Sequence, residues 1–228
     1  MTDSSDGASG FPTVFPIFPL PGVVLFPGTY LPLHIFEPRY RAMTEAALAG
    51  DEVIGMVLLR RADDAPQRQA EVFGFGCAGR IAESERLADG RFNLLLHGER
   101  RFSIEHEESA AGPYRSVQAR LLPDPAFHEL APDVQRRLSE MRGELEARML
   151  ELVGLTAPPS AEQLAERMRA LDPVLLLNAL SFGLDCPTLE KQSLLEAPTP
   201  IVQGELLLRI LIIRIAEARL PDGPKVVN

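Results

Sequence analysis

The residues best suited to chemistry are three glycines, four histidines, two cysteines and two lysines, and their spacing decides what chemistry they could do. Gly74, Gly76 and Gly79 spell a literal G-x-G-x-x-G. In a dinucleotide-binding fold that motif follows a buried strand and opens a helix whose N-terminus takes the pyrophosphate. Here Gln67–Glu71 are polar, only Val72 and Phe73 could form such a strand, and an Asp89-Gly90 turn follows. The triplet therefore reads as a twisted strand with glycines where another backbone or a ring packs close. The only lysines are Lys191 and Lys225, and neither follows a glycine, so no P-loop is present. His34, His97, His106 and His128 lack ligand spacing with one another or with Cys77 and Cys186, and there is no H-E-x-x-H and no G-x-S-x-G elbow. His34 and Glu37 lie three apart across a strand-to-helix corner and read as hydrogen-bonded there. Asp63 and Asp64 read as solvated loop acids. No catalytic residue, cofactor site or metal site is assigned.

What remains is binding. Short strands, glycine-rich edges and aromatic side chains can accept an extended peptide along an edge or in an apolar groove. Phe36, Arg39 and Tyr40, at the corner between a proline-rich strand and the first helix, are the candidate peptide-binding residues; otherwise they pack the core and form an internal salt bridge. The last helix is a second candidate surface. Leu206, Leu207, Leu208, Ile210, Leu211, Ile212 and Ile213 leave it almost no polar face, so it is either wrapped by other helices or covered by a second subunit.

The elements that must position these residues begin with Phe15–Tyr40, which holds Pro16, Pro19, Pro21, Pro27, Pro32 and Pro38 among large apolar residues. A proline cannot donate to a ladder and clashes inside a helix. Extended pieces are therefore predicted at Val14–Leu20, Val23–Phe26 and Tyr30–Ile35, with Pro21-Gly22 and Pro27-Gly28 as turns. A short helix opens at Pro38 and stops at Gly50. A buried strand follows at Asp51–Arg60, then a polar loop over Arg61–Ala70 and a strand over Glu71–Ser84. A hairpin turns at Asp89-Gly90 into Arg91–His97, a second turn at Gly98-Glu99 leads into Arg100–Glu107, and Tyr114–Leu122 is the last strand.

After Phe127 the aromatics stop, except for Phe182, and leucine-rich helices take over. Val134, Leu138, Met141, Leu145, Met149 and Leu152 step by three or four along one helix that ends at Gly154. Ser160 with Gln163 opens the next, Asp172-Pro173 a third, Glu190–Glu196 is short, and Thr199-Pro200 starts Ile201–Arg219. The fold class is α+β. The expected domains are a disordered tail over 1–12, a β-rich subdomain over 13–124, a helical subdomain over 125–220, and a tail over 221–228.

The 228 residues carry a net charge of −9, and their basic charge is almost all arginine, scattered between acids. That balance argues against binding nucleic acid. No run is long and apolar enough to cross a bilayer. With no secretory leader in view, both cysteines read as buried thiols in a reducing, cytoplasmic setting.

The run FPLPGVVLFPGTYLPLHIFEPRYRAM, Phe18–Met43, resembles the opening of the Lon protease N-terminal, substrate-binding domain family, which also occurs as a free-standing bacterial protein. Gly55–Leu59, Gly76–Ile81 and the Arg91–Phe102 hairpin agree in order and spacing. The similarity is close from Pro16 to Leu122 and looser over the helices. It implies a PUA-like β pseudo-barrel followed by a helix bundle. It also implies recognition of unfolded or exposed apolar polypeptide segments in protein quality control, with a protease or chaperone as partner. The Lon Ser-Lys dyad has no counterpart around Lys191 and Ser193, so the resemblance implies recognition without motor or peptidase. The alternatives are a PUA-like RNA-binding module, which the acidic balance disfavours, and a small-molecule enzyme whose site no motif reveals.

Overall fold

The computed structural model describes residues 10–61, 70–108, 112–157 and 161–220. Residues 1–9, most of the polar loop with Asp63 and Asp64, the capping residue Ser160 and the stretch from 221 on lie outside the described residues. The chain divides into two compact units. One takes the residues up to Leu25 together with Tyr30–Leu122; the other takes Phe26–Thr29 and the residues from Pro123 on.

The first unit holds β1 (Val14–Leu20), β2 (Tyr30–Ile35), α1 (Pro38–Leu48), β3 (Val53–Leu59), β4 (Val72–Arg86), β5 (Phe92–Glu107) and β6 (Arg115–Leu121). The strand order is β2-β5-β4-β3-β1-β6, and β6 pairs with β5 as well as with β1. Five strands thus close on themselves, and β2 stands outside the ring, paired among the described residues with β5 alone. Among the described pairings only β1–β3 is parallel. The prolines of β1 respect this arrangement. Pro16 lies where β1 pairs only with β6, Pro19 where it pairs only with β3, and Ile17 alone is paired on both sides. A residue that cannot donate is tolerated where one side of the strand is free.

Two expected features differ. Val23–Phe26 joins no ladder. Val24, Leu25 and Phe26 are buried, so apolar content marked a buried loop there instead of a strand. Gly98-Glu99 is not a turn either: β5 runs straight through it, because both of its halves pair with the same long strand β4. Ala78 faces Arg100 and Gly79 faces Gly98, which leaves Glu99 as the extra residue of a bulge. Beyond the bulge β5 exchanges β2 for β6 as its second partner.

The barrel core gathers Phe15, Ile17, Val53, Val57, Ala78, Phe102, Val117 and Ala119. Phe15 and Phe102 meet edge to face with ring centres 5.0 Å apart. The glycine motif belongs to this packing. A Cβ on Gly76 would stand 2.7 Å from the Phe102 ring and collide with the Met56 carbonyl; one on Gly79 would stand 2.7 Å from Leu96 Cγ. Gly74 has open space. A methyl group fits neither at Gly76 nor at Gly79, which is a packing requirement.

The second unit holds α2 (Pro132–Thr156), α3 (Ala161–Arg169), α4 (Pro173–Gly183), α5 (Thr188–Leu195) and α6 (Pro200–Arg219). Leu138, Met141, Leu145 and Met149 of the expected stripe are buried. The helix runs two residues past Gly154, which is exposed and tolerated there. Asp172 caps α4 by accepting from the amides of Val174 and Leu175, both at 2.9 Å. Arg142 of α2 donates to the carbonyls of Met168 (2.7 Å) and Leu171 (2.5 Å), which serve the end of α3. In this unit Gly28 adopts φ +76, and a side chain there would meet Leu175.

Candidate functional site

Strand β2 reads YLPLHI, and pleating sends alternate side chains to opposite faces. Ile35 is buried and Leu31 and Leu33 are partly so. Tyr30, Pro32 and His34 are exposed, and Phe36 continues their row just past the strand. Tyr30 is 53% exposed and Phe36 61%, two rings left in solvent. Directly paired residues of an antiparallel ladder share a face. The row therefore continues across β5: Tyr30 stands opposite His97, Pro32 opposite Leu95, and His34 opposite Asn93. It reaches β4 next, where Glu83 stands opposite Leu95 and Glu85 opposite Asn93.

The polar groups on this face are held in place. Tyr30 stacks on the His97 imidazole at 4.6 Å. His34 Nδ1 lies 2.8 Å from Asn93 Oδ1, and Arg91 Nη1 lies 3.1 Å from His34 Nε2. The Asn93 amide donates to Glu85 at 2.8 Å. One consistent assignment has Arg91 donating to His34 Nε2, His34 Nδ1–H to Asn93, and Asn93 to Glu85. Arg91 is also ion-paired with Asp89 at 2.6 Å. At the other end Arg80 pairs with Glu99 at 3.4 Å and donates to the Asp51 carbonyl. The imidazole of His34 is thus engaged on both nitrogens, and Phe36 lies over it with centres 6.3 Å apart. His34 and Glu37 do not bond each other. The strand turns His34 toward β5, whereas Glu37 precedes α1 and pairs with Arg39 at 2.9 Å.

The three residues singled out from sequence are therefore placed differently. Phe36 is in solvent. Arg39 is partly buried, with its guanidinium 4.4 Å from the centre of the Tyr40 ring. Tyr40 is buried against Phe18 at 4.3 Å. Burial pushes its phenol above the usual tyrosine range, against the opposing pull of Arg39. Sequence reasoning missed Tyr30, Pro32 and Leu95. The period of two in YLPLHIF was the available signal, but it cannot say which set faces outward.

Elsewhere the possible reactive groups are engaged in structure. Lys191 donates to the Phe182 carbonyl at 2.7 Å and Ser193 to the Leu189 carbonyl at 2.9 Å. Cys77 is buried, and burial raises the thiol pKa of Cys186. Among the described residues no three His, Cys, Asp or Glu side chains gather as a metal site, and no helix is long and apolar enough to cross a membrane. On α6, Leu207, Leu211 and Ile215 are buried, while Ile212 and Ile213 are about half exposed.

A family model described as the ATP-dependent protease La (LON) substrate-binding domain matches residues 14–212. Lon protease 2 of Myxococcus xanthus is 29% identical over 203 residues, which are 88% of this chain and 24% of that protein. The Lon protease of Anaeromyxobacter dehalogenans is 27% identical, over 88% of this chain and 23% of its own length. The chain thus spans about a quarter of the length of these relatives. The N-terminal domain of the Mycobacterium avium complex Lon protease superposes with a TM-score of 0.65 at 19% identity, covering 91% of this chain and 100% of that one. A Lon N-terminal domain protein from Xanthomonas campestris gives 0.59 at 24% identity, covering 87% and 98%. These likenesses carry the α+β fold, and the family match carries the kinship: this chain belongs to the Lon substrate-binding domain family.

Proposed function

We propose that this protein is a non-catalytic recognition module of protein quality control, acting in the cytoplasm, which binds unfolded or exposed apolar segments of other polypeptides. The observation that carries the reading is the exposed row of Tyr30 and Pro32 on β2, the one described strand outside the closed ring, with Phe36 just past its end and Leu95 beside it. Two half-exposed rings on a rigid ladder offer an apolar client large contact area at small entropic cost. Phe36 is the contact residue of the corner. Arg39 and Tyr40 hold it in place through the Glu37 ion pair, the cation–π contact and the packing on Phe18. Kinship with the Lon substrate-binding domains supports cooperation with a protease or chaperone, and the exposed Ile212 and Ile213 of α6 would give such a partner, or a second copy, a separate place to dock.

The test is fluorescence anisotropy with labelled, denatured client protein and with short apolar peptides. Saturable binding that Phe36→Ser and Tyr30→Ser weaken supports the reading. Absence of binding to any client at micromolar concentration refutes it. Retardation of labelled RNA at low salt would move the protein to the nucleic-acid class instead.

A further inference from the structure

The face beside β2 has a charge as well as an apolar row. Its two arginines are already matched, Arg91 by Asp89 and Arg80 by Glu99. Glu83 and Glu85 are exposed on β4, in register with Leu95 and Asn93. Glu85 receives only the neutral Asn93 amide, and Glu83 has no ion-pair partner among the described residues. The face therefore presents an apolar and aromatic row on β2 and β5, bordered on β4 by two uncompensated carboxylates. Neighbouring strands lie roughly 5 Å apart, so acids and row are separated by about 10 Å. A lysine or arginine side chain in an extended segment lying over β2–β5 spans that gap.

Resting on the recognition reading above, we infer that this face selects extended segments in which apolar residues are interspersed with lysine or arginine, over neutral or acidic ones. Charge complementarity also decides against the other occupants. A second copy meeting face to face would bring two faces with uncompensated carboxylates together, and a nucleic acid would set phosphates against them. Pro32 in the middle of β2 further blunts that strand against simple strand addition, which leaves side-chain contacts to govern choice.

The experiment uses the full chain and three fluorescein-labelled decapeptides with one apolar core, flanked by lysine, serine or glutamate. Anisotropy titrations at low and at high salt give their affinities. The expected order is lysine, then serine, then glutamate. Two exposed ion pairs give a roughly two- to tenfold advantage of the lysine over the serine peptide, reduced at high salt. The variant Glu83→Gln with Glu85→Gln, at exposed positions, is expected to abolish that advantage, bringing the lysine and glutamate peptides to the affinity of the serine peptide. Equal affinity for lysine and glutamate peptides overturns the inference and leaves the recognition reading standing. So does a lysine preference that survives the double variant, since its source would lie elsewhere. Self-association of the parent chain that the double variant strengthens would make the face an interface between copies and overturn it too. If no peptide of any charge binds, the recognition reading falls along with the inference.

Discussion

Gly76 offers the sharpest test of how the barrel is packed. In Gly76→Ala the new methyl would sit 2.7 Å from the Phe102 ring and closer still to the Met56 carbonyl. Phe102 is fully buried and already meets Phe15 edge to face, so the ring has nowhere to go. The carbonyl belongs to the fully buried strand β3 and cannot yield without moving the ladder. Overpacking of this kind costs about 1–3 kcal/mol, and contact with backbone puts this site in the upper part of that range. The stiffer unfolded chain of alanine returns about 0.5 kcal/mol, leaving a net loss of about 2 kcal/mol. With a urea slope of about 1–2 kcal/mol/M, the midpoint falls by about 1–2 M. Gly74→Ala is the control. Nothing lies within 4 Å of its Cβ, so the same substitution two residues away is expected to be neutral or slightly stabilising. Tyrosine emission is the assay: Tyr30, Tyr40 and Tyr114 all lie in the β unit and there is no tryptophan, so the signal follows that unit and not the helices. The packing account fails if Gly76→Ala unfolds within about 0.3 M of the parent, or if Gly74→Ala is destabilised as much as Gly76→Ala.

Other outcomes follow from the same geometry. Phe36→Ser and Tyr30→Ser should each change stability by less than about 0.5 kcal/mol in urea unfolding while reducing client binding severalfold, because both rings are mostly in solvent. Arg142→Met should destabilise the helical unit by about 1–3 kcal/mol, measured by far-UV circular dichroism during urea unfolding, since two carbonyls at the end of α3 lose a charged donor. For Tyr40 the folded pKa lies above the unfolded one, so the stability linked to keeping its phenol neutral is fully present below the unfolded pKa. It is lost as pH rises through the folded value. Ultraviolet titration should show a tyrosinate component above the usual tyrosine range, which Tyr40→Phe removes; no change in that variant would refute the assignment.

The sequence alone determined what depends on near neighbours in the chain. Prolines spaced too closely for a helix forced Val14–Leu20 and Tyr30–Ile35 to be extended, and both strands occupy those bounds. Asp172 and Thr199 before their prolines marked the starts of α4 and α6, because a cap acts on amides two or three residues away. Only the tertiary structure decided what depends on distant partners. Gly98-Glu99 looks like a turn by composition, yet continuous pairing with β4 on both sides makes it a bulge. Phe36 and Tyr40 are indistinguishable as aromatic residues at one corner. Packing on Phe18 buries one ring, and the outward pleat of β2 leaves the other in water. The companionship of Tyr30, Leu95 and Glu83 has no trace in local pattern either. It arises from register across three strands, which is set by bulges and long-range pairing. The α+β scaffold was thus legible from the chain, and the face proposed to select its clients was assembled by contacts between residues as much as 67 positions apart, as Tyr30 and His97 are.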